Sequence, residues 1–133
     1  MTKKALVVGD VNYKWIGDFI DHLGGEAIFV EDEQTARKEL EDFVSLKHIF
    51  HMIIITSLWL PVVSITELMN WKDDDPRLEL DSRETGLRLC QHMSELGILQ
   101  KIPVLFIGSE IIDTEEIRKK LKLMGIQYIP DTH

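Results

Sequence analysis

The chain has 133 residues, 44% of them apolar and 29% charged, with a formal net charge of -8. That length suits one domain with a real core, and the reading is a single domain over 1–133. The acidity excludes the basic face that nucleic acid requires, and no stretch approaches the roughly 20 apolar residues that span a bilayer.

The first element is an apolar, β-branched run over 5–8 that ends at Gly9-Asp10 and reads as a strand. A helix follows, because Trp15, Phe19 and Leu23 recur every fourth residue with Ile16 and Ile20 beside them, and Gly24-Gly25 stops it. A weaker run over 27–30 gives a lateral strand. Asp32 then caps a second helix with the stripe Ala36, Leu40, Phe43 and Val44. The longest apolar run, 52–60, reads as a buried central strand ending at Pro61.

From 61 to 84 the pattern is irregular, with Trp71, the acidic run 73–75 and Pro76, and room for a short helix near 65–71. Loops of that length in small domains usually serve function. Leu89, Met93 and Leu96 mark a third helix that stops near Gly97. The run 103–107 gives a strand ending at Gly108-Ser109. Asp113 with Glu116 opens a fourth helix carrying Ile117, Leu121 and Met124, closed by Gly125. A short strand over 127–129 completes a β-α-β-α-β-loop-α-β-α-β order. Such alternation implies a parallel sheet with right-handed crossovers and helices on both faces.

Residues with chemical potential are few. Cys90 is alone and inside a helical pattern, which makes it a filler and fits a reducing, cytoplasmic setting. The cluster Arg118, Lys119, Lys120 and Lys122 reads as a solvated helix face. The histidines, His48 and His51 included, lack metal-ligand spacing and read as surface residues. No GxGxxG, P-loop, HExxH or GxSxG pattern occurs.

Taken in order, KALVVGD (4–10), IIITSLWLP (53–61), ETGLRLCQHM (84–93), IPVLFIGS (102–109) and GIQYIP (125–130) resemble the receiver domain of bacterial response regulators along nearly the whole chain. The resemblance implies an α/β, doubly wound, flavodoxin-like fold with a five-stranded parallel sheet in the order 2-1-3-4-5. It also implies a signalling role in two-component systems. Receivers use a carboxylate as phosphoacceptor, magnesium held by an acidic pair, and a hydroxyl and a lysine that hold the phosphoryl group.

At the matching positions this chain departs from the pattern. Gly9 stands at the first place of the acidic pair and Asp10 at the second. Ser57 stands at the phosphoacceptor place, where serine has no evident base and forms no reactive mixed anhydride. Gly108 takes the switch-hydroxyl place, with Ser109 next to it. Pro130 and Asp131 occupy the stretch where the lysine belongs. Receivers also end in a helix packed beside the first, whereas this sequence stops at His133. The expectation is therefore a fold with the C-terminal helix missing and half of one sheet face open.

The expected function is that of a non-catalytic pseudo-receiver that signals by protein binding, not an enzyme and without cofactor. Its strand-end surface holds Asp10, Trp59, Gly108 and Ser109. Trp59 serves either local packing or partner anchoring. The partner is another protein or a second copy, a homodimer through the open face, with neither nucleic acid nor membrane involved. Two alternatives stay open. One is a metal- or phosphate-binding variant in a phosphorelay, with Asp10 as a Mg2+ ligand; as the other reading of Asp10, it caps the next turn. The second is a small-molecule enzyme on a flavodoxin-like fold.

Overall fold

The computed structural model describes residues 2–9, 11–47, 49–56, 69–70, 72, 74, 85–109 and 115–131, with backbone alone for 11, 108–109 and 130–131. Five strands form one sheet: β1 (Lys4–Val8), β2 (Glu26–Val30), β3 (Met52–Ile55), β4 (Val104–Ser109) and β5 (Gln127–Asp131). Their order is β2-β1-β3-β4-β5, and every pairing is parallel. Four helices connect them: α1 (Lys14–His22), α2 (Glu33–Val44), α3 (Thr85–Glu95) and α4 (Glu115–Met124). This is the doubly wound architecture expected from the alternation of apolar runs.

Alternation along the strands sorts side chains between the two faces. Leu6, Val8, Ile53, Ile55, Val104 and Phe106 point into the larger core, where they meet Ala36 and Leu40 of α2, Leu89 and Met93 of α3, and Leu121 of α4. Val7 and Ile54 point the other way, against Ile16 of α1. Among the described residues, three helices cover one face and a single helix covers the other.

Local signals explain the helix ends. Asp32 Oδ1 accepts from the Thr35 backbone N–H at 2.7 Å, and Oδ2 accepts from the Thr35 hydroxyl at 3.0 Å. This is the N-cap the sequence predicts for α2. The helix stops at Gly24 and Gly125 fall at φ +90° and +80°, where a side chain would strain the backbone. The cap expected from Asp113 lies outside the described residues, as do 57–60 of the third strand and most of 61–84.

Two expectations are modified. Trp15, Phe19 and Leu23, whose spacing signals α1, are its exposed side, while Ile16 and Gly17 are buried. His51 is more than a surface residue: its Nδ1 accepts from the Lys4 backbone N–H at 3.0 Å, securing the start of β1. The cluster of Arg118, Lys119, Lys120 and Lys122 is exposed, as expected of a solvated face. No helix among the described residues is long and apolar enough to cross a membrane.

Candidate functional site

In parallel sheets, functional groups collect at the carboxyl ends of the strands, where crossover helices begin. Here β1 ends at Val8-Gly9 and β3 at Ile55-Thr56. The Thr56 backbone N–H donates to the Val8 carbonyl at 2.8 Å, and the Thr56 hydroxyl donates to the same oxygen at 2.9 Å. Thr56 is fully buried. The Gly9 N–H donates to the Val30 carbonyl at 3.0 Å, so the ends of β1, β2 and β3 are tied together.

The Thr56 hydroxyl also decides what position 9 can be. A Cβ added to Gly9 would fall on Thr56 Oγ1 and come within 3.1 Å of Thr56 Cβ. Glycine is therefore required while Thr56 keeps this bond. The same geometry tests the fit of a divalent cation at this edge. Position 9 offers no side-chain ligand, and the volume in which one would begin is filled.

The second feature is an ion cluster at the N-terminal turns of α2 and α3. Arg88 grips Glu33 as a fork, with Nη2 donating to Oε1 at 2.6 Å and Nε to Oε1 at 3.1 Å. Arg37 Nε donates to Glu33 Oε2 at 3.0 Å, and Arg88 Nη2 also donates to the Thr85 hydroxyl at 3.0 Å. The Glu33 side chain is only 4% exposed. Burial by itself would raise the Glu33 carboxyl, but the hydrogen bonds from Arg88 and Arg37, with their charges, outweigh it and hold the group below its ordinary value.

Sequence reasoning did not find this cluster. Glu33 and Arg37 stand at helical i, i+4 spacing, a visible signal. The decisive partner, Arg88, is 55 residues away and lies in a segment that reads simply as the start of a helix.

Of the sequence-predicted site residues, Asp10, Ser57 and Trp59 lie outside the described residues. Gly108 and Ser109 end β4, where their backbones pair in register with Pro130 and Asp131 of β5. The switch-hydroxyl place and the lysine place are thus adjacent across two strands. Among the described residues, no group of three or more His, Cys, Asp or Glu side chains stands together to hold a metal ion. Cys90 is buried, and that burial pushes its thiol up to about 12, far from a reactive thiolate.

No protein-family model matches the sequence, and no curated protein does. Solved structures do match in shape. Chemotaxis protein CheY4 of Vibrio cholerae is 15% identical with a TM-score of 0.65, over 100% of this chain and 89% of that one. The receiver domain of a sensor histidine kinase from Pseudomonas aeruginosa, solved with magnesium in its active-site cleft, is 15% identical with a TM-score of 0.64, covering 100% and 88%. The non-phosphorylated HemR receiver domain of Leptospira biflexa is 13% identical with a TM-score of 0.60, covering 99% and 84%. At such low identity the likeness speaks for architecture, and with the observed strand order it shows that this chain has the receiver fold.

Proposed function

We propose that this chain is a receiver-like signalling module that acts by binding another protein, without aspartyl phosphorylation and without a divalent cation. The observation that carries the reading is the Thr56 hydroxyl seated where a side chain at position 9 would begin. Phosphoryl transfer to a receiver needs metal charge close to the acceptor. A neighbour of this fold carries magnesium in its cleft, but here the first ligand place is glycine and its volume is filled by a hydrogen-bonded hydroxyl.

The sequence supports the same conclusion at the positions around it. Ser57 replaces the acceptor, and Asp131 stands where a cation would hold the phosphoryl group. A carboxylate there would repel it. Binding then remains as the mode of action, in a reducing, cytoplasmic setting.

The test is incubation with acetyl phosphate and Mg2+, followed by intact mass, alongside calorimetry with Mg2+ and Mn2+. The expected result is an unmodified mass and no binding heat. A phosphoryl adduct, or saturable metal binding removed by Asp10→Ala, overturns the reading.

A further inference from the structure

The start of β1 is fastened by a side chain as well as by the backbone. Lys4 and His51 stand one step before the register pair Ala5 and Met52, at the heads of two adjacent strands in the middle of the sheet. The His51 backbone N–H donates to the Lys4 carbonyl at 2.8 Å, as a parallel ladder requires. The Lys4 N–H turns to the ring and donates to His51 Nδ1 at 3.0 Å.

This bond fixes the state of the imidazole. A backbone N–H only donates, so Nδ1 presents its lone pair and the neutral ring carries its one proton on Nε2. A second proton, taken from solvent, enters at Nδ1. It sets two N–H donors face to face, and the ring must turn away from Lys4.

The surroundings give the charged ring nothing in exchange. His51 borders a groove at the amino ends of the strands, where the β1 side contributes Lys3 and Lys4. The end of α1 and the entry to β4 contribute Leu23 and Pro103, which carry no charge, and none of the described residues lining the groove is acidic. From β2 comes Glu26, half exposed, whose carboxylate lies 3.8 Å from the Lys4 ammonium.

What remains when the ring leaves is also defined. The Lys3 and Lys4 carbonyls keep their bonds from the Glu26 and His51 N–H groups, at 2.9 and 2.8 Å. The head of β1 thus loosens at its amide and stays in the sheet. Leu6 and Ile53, further along the two strands, are fully buried and take no part in the change.

We propose that His51 is an acid-sensitive clasp on the head of β1. The neutral ring ties Lys4 to the segment that opens β3, and protonation of Nδ1 releases it. The clasp lies at the opposite end of the strands from Gly9 and Thr56, so its failure leaves the phosphorylation-independent reading untouched.

The test is heteronuclear NMR on the full chain between about pH 8 and pH 5, the interval in which histidine changes charge. It reads which His51 nitrogen carries the proton at pH 8, the titration of the ring, and the Lys4 amide. The amide is followed by its chemical shift and by its protection, corrected for intrinsic exchange. Two variants bracket the wild type. His51→Asn places an amide oxygen where Nδ1 stands and does not titrate, and His51→Ala removes the acceptor.

The neutral ring is expected to carry its proton on Nε2. The Lys4 amide is expected to shift and to lose about fivefold in protection with the same midpoint as the His51 ring, while the Leu6 amide stays unchanged. In His51→Asn the Lys4 amide is expected to keep its protection across the whole interval, and in His51→Ala to lack it at both ends. Should His51→Ala fail to fold, wild type and His51→Asn decide between them. A neutral ring protonated on Nδ1 overturns the clasp. So does a His51 ring that stays neutral down to pH 5, a Lys4 amide that ignores the ring's titration, or the same acid response in His51→Asn.

Discussion

The hydroxyl of Thr56 occupies the place where a side chain on Gly9 would begin, and it holds that place by donating to the Val8 carbonyl at 2.9 Å. The two residues therefore form one unit. Gly9→Ala forces the buried threonine to rotate and give up its bond, an overpacking expected to cost about 2 kcal/mol. Thr56→Ala loses one hydrogen bond, about 1 kcal/mol; the Val8 carbonyl stays satisfied by the Thr56 backbone N–H. In the Thr56→Ala background, Gly9→Ala is expected to cost much less. A double-mutant cycle by denaturant unfolding measures the coupling, and additive costs would refute the unit.

How far the sequence discloses this depends on separation along the chain. The helix caps at Asp32 and the stops at Gly24 and Gly125 are local events, set by residues within one turn, and they are legible. The apolar strand runs are legible too, because burial on both faces removes alternation. Gly9 itself is visible as a departure from the receiver pattern, but its cause lies 47 residues away, at Thr56, across two strands. Glu33 and Arg88 are hidden for the same reason. The exposed stripe on α1 shows a different limit. Periodicity at Trp15, Phe19 and Leu23 announces a helix without saying whether anything covers it.

The Glu33 cluster makes a prediction about acid. Its carboxyl is held below the ordinary value of 4.5 in the folded state. A lowered group contributes stability that is present above the unfolded value and lost as pH falls through the folded one. The contribution is therefore full at pH 7 and fades below about pH 4.5. Glu33→Gln leaves Arg88 and Arg37 facing a neutral amide in a nearly buried place, and is expected to cost about 2–3 kcal/mol at pH 7. Arg37→Ala, which removes the more exposed partner, is expected to cost less than 1 kcal/mol. Melts of wild type and Glu33→Gln from pH 7 to pH 3 should converge as the acid limit is approached. Parallel curves would show that the carboxylate charge contributes nothing.

Cys90 carries the opposite linkage. Burial raises its thiol from 9.0 to about 12, so the stability it confers is full below pH 9 and is lost as pH rises toward 12. At pH 8 the thiolate fraction in the folded state is about 10⁻⁴. Disulfide-exchange reagents are therefore expected to leave the native protein unmodified over an hour and to label one thiol at once in denaturant. Rapid labelling of the native chain would show that α3 opens readily from the sheet.

A last prediction concerns the end of α2. The Lys47 N–H donates to the Asp42 carbonyl at 2.8 Å and the Leu46 N–H to the Phe43 carbonyl at 3.1 Å, the paired bonds of a Schellman ending. That ending places Leu46 at φ 63°, where a Cβ presses on the following carbonyl at a cost of about 1 kcal/mol. Leu46 is also 80% exposed, so its side chain returns little through burial. Leu46→Gly removes the strain and leaves both hydrogen bonds, though glycine gains freedom in the unfolded chain. The net expectation is a stabilisation of about 0.5 kcal/mol, with Leu46→Asn between the two. Leu46→Ala separates the contributions: it retains the Cβ and its strain, loses the apolar side chain, and should match wild type or fall slightly below it. If Ala and Gly are equally stable, the strain is not there, and the helix end has relaxed away from the left-handed turn.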